Sequence, residues 1–325
     1  MSVFVIRRLM QSIAVIAVMS LLVFFGVNIV GDPVDMLINP EADQADIEAA
    51  IKALGLDRPA HEQYWYFLVN AFKGDLGKSF IFGEPALGLI LQRMPATLEL
   101  AFAALLMAVV IGLPCGVYAG LKPESAASKT IMAGSILGFS LPTFWVGLML
   151  IMVFAVMLGW LPSTGRGETV LLFGVPVSFL TWDGLTHLLM PAFNLALFKM
   201  SLVTRLARAG TREVVHQDYI KFARAKGLDP RRVVLVHVLK NIMIPVVTVL
   251  GLEFGGLIAF SVVTETVFAW PGMGKLIIES IQNLDRPVIV AYLLITVLMF
   301  VIINLVVDLM YSVLDPRVRL QDLKA

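Results

Sequence analysis

The sequence predicts an all-α polytopic membrane protein with six transmembrane helices and both termini in the cytoplasm. Three observations predict it. Of 325 residues, 58% are hydrophobic and only 15% charged, whereas a soluble domain keeps about 25% charged residues for its skin. Six segments supply the roughly 20 mostly apolar residues that a membrane helix requires. Lys and Arg are shared unequally between the segments that link them.

The first apolar run, residues 9–30, follows Arg7 and Arg8. It is longer than the roughly 7–15 residues of a signal core and has no small-x-small cleavage site after it, so it reads as a retained helix. The other five runs are residues 95–120, 131–159, 184–204, 242–263 and 288–314. The third is long and is expected to tilt or to end early. With the N-terminus inside, sixteen Lys and Arg fall in cytoplasmic segments. The two short external loops hold only Arg166, Lys275 and Arg286. That asymmetry sets the orientation.

The external segment, residues 31–94, has ten acidic and five basic residues and a short amphipathic stretch near 47–54. Its run Tyr64-Trp65-Tyr66-Phe67 points to packing or to an interfacial aromatic belt. Residues 95–314 form the main transmembrane region, and residues 315–325 a cytoplasmic tail. Pro114, Pro142, Pro191 and Pro245 lie within spans, where each removes a backbone donor. Gly112/Gly116/Gly120, Gly134/Gly138 and Gly251/Gly255 place small residues at the spacing that lets helices approach closely.

Catalytic patterns are incomplete. Gly77-Lys78-Ser79 resembles the end of a phosphate loop, but Phe72 stands where the first glycine is needed, and the segment is external. His61, His187, His216 and His237 form no metal-type pair. Gly138-Phe139-Ser140-Leu141-Pro142 lacks the second glycine of a nucleophile elbow. The single cysteine, Cys115, lies in an apolar run. A net charge of +1 gives no field to attract nucleic acid. No catalytic residue, metal site or cofactor is expected on this chain.

Ionisable residues within spans mark functional sites by default. Glu99 falls near an outer end. Lys199 and Asp308 fall near the inner face, where Lys199 can snorkel. Glu253 is central and has no route to either surface, so it must be protonated, paired or facing water. It either lines a polar path or holds neighbouring helices together. Asn194 and Asn304 are its candidate partners.

The segment 205–240 begins as a cationic helical extension. A short run of helix formers follows, with Lys226 and Gly227 suited to a helix end and Pro230 preventing continuation. By shape it is a docking element, or else a basic loop on anionic lipid. It resembles the "EAA" loop of ABC importer permeases, whose pattern is Glu-Ala-Ala, three residues, then Gly. Lys221, Phe222 and Ala223 fill the first three places and Gly227 the last. Leu239 matches further on, where Lys240 replaces a proline. The variant is closer to the peptide-permease branch, in which an aromatic precedes Ala-Arg-Ala-Lys-Gly-Leu and an Arg-Arg pair follows. Here these are Phe222, then Ala223, Arg224, Ala225, Lys226, Gly227 and Leu228, then Arg231 and Arg232. Gly31-Asp32-Pro33, Gly74-Asp75-Leu76-Gly77-Lys78-Ser79, Pro95-Ala96-Thr97-Leu98-Glu99-Leu100, Glu265-Thr266-Val267-Phe268, Trp270-Pro271-Gly272-Met273-Gly274 and Leu314-Asp315-Pro316-Arg317 extend the resemblance nearly end to end.

The resemblance implies a type I ABC importer transmembrane fold in the bacterial inner membrane, the B-type permease of the dipeptide/oligopeptide (peptide/nickel) family. It implies a related second permease subunit, two nucleotide-binding ATPase subunits that carry ATP and Mg, and an external substrate-binding protein. The same branch resembles systems for nickel, glutathione and sugars, and a secondary transporter is the rival class. Docking falls to the segment from Lys221 to Leu228 with Arg231 and Arg232, above all to Phe222, Ala223, Arg224 and Gly227. The path falls to Glu253, Asn194 and Asn304.

Overall fold

A computed structural model describes residues 2–30, 52 and 57–314. In chain order these form α1 (Ser2–Val30), α2 (Ala60–Phe72), α3 (Ala86–Leu121), α4 (Ala126–Ser140) and α5 (Thr143–Leu150). A small sheet of β1 (Val170–Leu172) and β2 (Val175–Val177) follows. Then come α6 (Trp182–Val215), α7 (Asp218–Ala225), α8 (Leu239–Val267), α9 (Met273–Gln282) and α10 (Arg286–Leu314). A π-helical stretch, Ile151–Met157, extends α5, and another, Val233–Val238, leads into α8. The tail 315–325 and, Lys52 apart, the amphipathic stretch near 47–54 lie outside the described residues.

Among the described residues, five helical spans are long and apolar enough to cross a membrane: α1, α3, α6, α8 with the turns that precede it, and α10. The sixth corresponds to the long third run, 131–159, which is broken. It starts at Ala126 and is bent by 109° between α4 and α5. The break is at Leu141 and Pro142, whose ψ angles of 137° and 130° are extended. A proline drives the residue before it out of the helical region, and here the chain follows that preference. Pro95, Pro114, Pro191 and Pro245 lie inside continuous helices instead. Counted as one crossing, the bent pair brings the spans among the described residues to six.

Helix starts follow local chemistry. Ser125 caps α4 by accepting the Ser128 amide at 3.1 Å, and Thr181 caps α6 by accepting the Gly184 amide at 2.9 Å. Each satisfies a backbone donor the helix cannot.

The chain divides into two compact units. One comprises residues up to Met94 together with Lys275–Ile302. There Tyr64 and Phe67 of α2 each lie 5.4 Å, ring to ring, from Phe24 of α1. Ser20 and Tyr64 share a hydrogen bond of 2.7 Å. Trp65 and Tyr66 are exposed. The loop before α3 is anchored by Ser79, whose hydroxyl donates to the buried Asp285 carboxylate. Asp285 also accepts the Phe80 amide at 3.2 Å. Gly77-Lys78-Ser79 therefore ends on a carboxylate, which would repel a phosphate.

The other unit comprises Pro95–Gly274 with the residues from Ile303. α6 is its centre, packed against α4 and α8. It also meets the glycine face of α3. Side-chain carbons added at Gly112, Gly116 and Gly120 would meet Val203, Ala207 and Thr211 of α6 at 3.2, 2.6 and 2.6 Å. The pattern is uneven, because nothing lies within 4 Å of the same position at Gly134.

Candidate functional site

The cytoplasmic element begins with α6, which runs to Val215 and carries Arg205, Arg208 and Arg212 beyond the apolar run. α7 starts at Asp218, which pairs with Lys221 at 2.9 Å. The Lys221 hydrogen bond and charge hold the Asp218 carboxyl below its usual range. α7 ends in a glycine turn. The Gly227 amide donates to the Arg224 carbonyl at 2.9 Å and the Leu228 amide to the Ala223 carbonyl at 3.3 Å. Gly227 has φ +75°, the left-handed conformation that glycine adopts without penalty. Asp229 then accepts the Arg231 amide at 3.1 Å and starts a new turn with Pro230 in its first position.

One face of α7 is inside. Ile220 and Ala223 are buried with Val117 of α3, Ala207 of α6, Val233 and Val238 of the π-helical stretch, and Ile242 of α8. Leu228 packs against the same cluster. Of the docking candidates, Ala223 on the inward face of α7 and Leu228 in the turn after it therefore seat the element against the membrane helices. The other face projects. Phe222 is 62% exposed, with the Lys226 ammonium 4.5 Å from its ring centre. Lys221, Arg224, Ala225, Gly227, Arg231 and Arg232 are exposed beside it. The result is an aromatic knob inside a cationic rim.

The intramembrane site is built on α6 and α8. Glu253 is at the centre of α8, and its carboxylate pairs with the ammonium of Lys199 at the centre of α6. Lys199 does not snorkel. Its side chain is 7% exposed and that of Glu253 35%. Asn194 is likewise corrected: it donates to Thr264 at 3.0 Å, not to Glu253. Its amide oxygen is buried with no protein partner among the described residues. Asn304 is half-buried on α10, and the hydrogen bond to Glu253 comes from Lys199, not from it. Beside the pair, Phe198 stacks on Phe139 of α4 at 4.7 Å, and Arg205 lies 4.7 Å over Phe139.

Two buried carboxylates to which the sequence assigned no partner, Glu99 and Glu265, organise the opposite end of this unit. Glu99 accepts Arg166 Nε at 3.0 Å, the Ser178 amide at 2.7 Å, the Ser178 hydroxyl at 2.9 Å and the Phe179 amide at 2.9 Å. Arg166 also donates to the Pro176 carbonyl at 2.7 Å, so the β1–β2 hairpin is tied to α3. Glu265 accepts the hydroxyls of Thr97 at 2.8 Å and Ser261 at 2.9 Å. Trp270 donates to the Ala96 carbonyl at 2.9 Å, and the Met273 amide donates to Thr97 at 2.8 Å. The available signal was one carboxylate inside an apolar run, Glu99, and one just past the end of another, Glu265. Their partners are too distant in sequence for spacing to name.

This unit thus carries an aromatic knob in a cationic rim at one end, an ion pair inside and a braced opposite end. Comparison with known proteins decides the family. The model of the binding-protein-dependent transport system inner membrane component matches residues 112–320, and its N-terminal counterpart matches residues 1–101. The chain belongs to this family of inner-membrane permeases. The permease is 40% identical to the di/tripeptide transport system permease protein DppB of Pseudomonas aeruginosa, over 98% of this chain and 99% of that one. It is 39% identical to the oligopeptide transport system permease protein AppB of Bacillus subtilis, again over 98% and 99%. It is 38% identical to the glutathione transport system permease protein GsiC of Escherichia coli K12, over 97% and 98%. A chain of the inward-facing MetNI methionine ABC transporter superposes with a TM-score of 0.55 at 17% identity, covering 70% of the permease and 96% of that chain. At that identity the likeness concerns the fold alone, the type I ABC importer transmembrane fold.

Proposed function

We propose that this permease forms half of the translocation pathway of an ATP-driven importer of di- and oligopeptides. A related second permease subunit supplies the other half. Two separate ATPase subunits carry ATP and Mg, and an external binding protein delivers the substrate. The names of the DppB and AppB relatives support the peptide class, and the GsiC relative stays within it, since glutathione is a tripeptide. The observation that carries the coupling role is the projecting face of α7. Phe222 fills an apolar pocket of the ATPase, while Arg224, Lys226, Arg231 and Arg232 meet an acidic rim. Nucleotide favours one arrangement of the ATPase pair, and that preference biases the membrane helices between outward and inward access.

Gly227→Val tests the docking role. Nothing lies within 4 Å of a side chain at Gly227, so the effect comes from the backbone alone. A β-branched residue at φ +75° costs about 1–3 kcal/mol and opens the turn. The variant inserts and assembles in the membrane, but stimulation of ATPase by loaded binding protein falls several-fold in reconstituted complexes. Full stimulation with intact transport would refute the role.

A further inference from the structure

We infer that the free side of the Glu253 carboxylate is a station for a substrate ammonium, either a peptide N-terminus or a lysine side chain. The inference rests on the permease reading and adds the chemical group recognised inside the membrane. Among the described residues the Glu253 carboxylate is bonded by Lys199 alone, and at one oxygen, Oε2. The other oxygen is open. Lys199 sits behind the pair at 7% side-chain exposure and Glu253 in front at 35%, so an arriving group meets the carboxylate first. Space is available beside it. Gly256 lies one turn along α8, and a carbon placed there would be 3.7 Å from the Lys199 ammonium and 3.8 Å from Glu253 Oε2. Both distances are ordinary contacts, so the missing side chain leaves a methyl-sized hollow on the Oε2 side, against the Lys199 ammonium and the oxygen it bonds.

The hollow faces water or a polar partner, because a part-exposed carboxylate at the centre of a membrane helix does not face lipid. Two turns from Glu253 on the same face, Phe260 is exposed and offers an aromatic surface suited to a cation. Lys199 sets the strength. A lone carboxylate would trap an amine, whereas one already neutralised on one oxygen holds it weakly and releases it, as conduction requires.

The test uses the complete importer in proteoliposomes, with Cys115→Ser removing the native thiol. Gly256→Cys reports on the hollow, and Phe260→Cys reports from a second position that any packing effect at Gly256 leaves intact. Each is labelled with a cationic and an anionic thiosulfonate. The cationic reagent is expected to react about tenfold faster. Glu253→Gln reverses the preference, because Lys199 is then the only charge. A dipeptide amide with a free N-terminus slows labelling, and its N-acetyl derivative does not. Equal rates for the two reagents, or a preference that survives Glu253→Gln, overturns the station, as does a complete lack of labelling at both positions. ATPase stimulation by loaded binding protein, read in the same vesicles, separates the two readings. Stimulation without charge preference sinks only the station, while absence of stimulation sinks the permease reading itself.

Discussion

A carboxylate and an ammonium at the centres of two apolar helices are stable only together. Removing one leaves the other as an uncompensated charge, which costs about 3–5 kcal/mol where the site is buried. Glu253 is partly open, so the larger loss is expected for Glu253→Gln, which strands the buried Lys199. Lys199→Met leaves a carboxylate that water can reach and costs less. The double variant recovers most of the stability, since both charges leave at once. Thermal unfolding of the detergent-solubilised permease across this cycle checks it. Strictly additive losses would mean that the two residues do not act as a pair. Half of this site was legible in the sequence. Glu253 stood out because it interrupts the middle of an apolar run. Lys199 was passed over as a partner because it falls near the end of its apolar run, at residue 204, where a lysine can snorkel. Lys199 therefore looked peripheral, and Asn194 was chosen as partner in its place.

At the scale of the helix, contact distance decides which glycines matter. A carbon at Gly116 would sit 2.6 Å from the Ala207 side chain and would strike the Thr204 carbonyl, so α3 and α6 must separate to admit it. At Gly134 the same carbon meets nothing within 4 Å. Gly116→Ala is expected to destabilise by about 1–3 kcal/mol or more through overpacking. Gly134→Ala is expected to be neutral or to stabilise by up to about 1 kcal/mol, because alanine is the better helix former. Midpoints of thermal unfolding for the two variants, measured side by side, give the contrast, and equal shifts would contradict it. The spans were legible because a membrane helix announces itself by length and apolarity. The break in the third crossing was not. Pro142 looks like Pro114, Pro191 and Pro245, and apolarity is unchanged across the bend. Only the extended backbone at Leu141 and Pro142 separates a proline tolerated within a helix from one that ends it.

For the molecule as a machine, the question is how a push on one short cytoplasmic helix reaches the membrane. The buried face of α7 touches α3, α6 and the start of α8 through one cluster. A displacement of α7 is therefore felt by three membrane helices at once, whereas its exposed face is left for the proposed ATPase contact. The two faces predict separable defects. Phe222→Ala removes the exposed ring and leaves the cluster intact, so the permease folds and loses co-purification with the ATPase subunits. Ile220→Ala removes a fully buried side chain and leaves a cavity worth about 2–5 kcal/mol at the seat of α7. The projecting face survives, so the ATPase subunits still co-purify, but α7 now moves in its seat without carrying the helices with it. ATP hydrolysis continues while substrate uptake per ATP falls several-fold. Co-purification, ATPase rate and uptake, measured on both variants in the same vesicles, resolve the two cases. If Ile220→Ala loses the ATPase subunits as completely as Phe222→Ala does, docking and transmission are not divided between the faces of α7, and the helix acts as one indivisible contact.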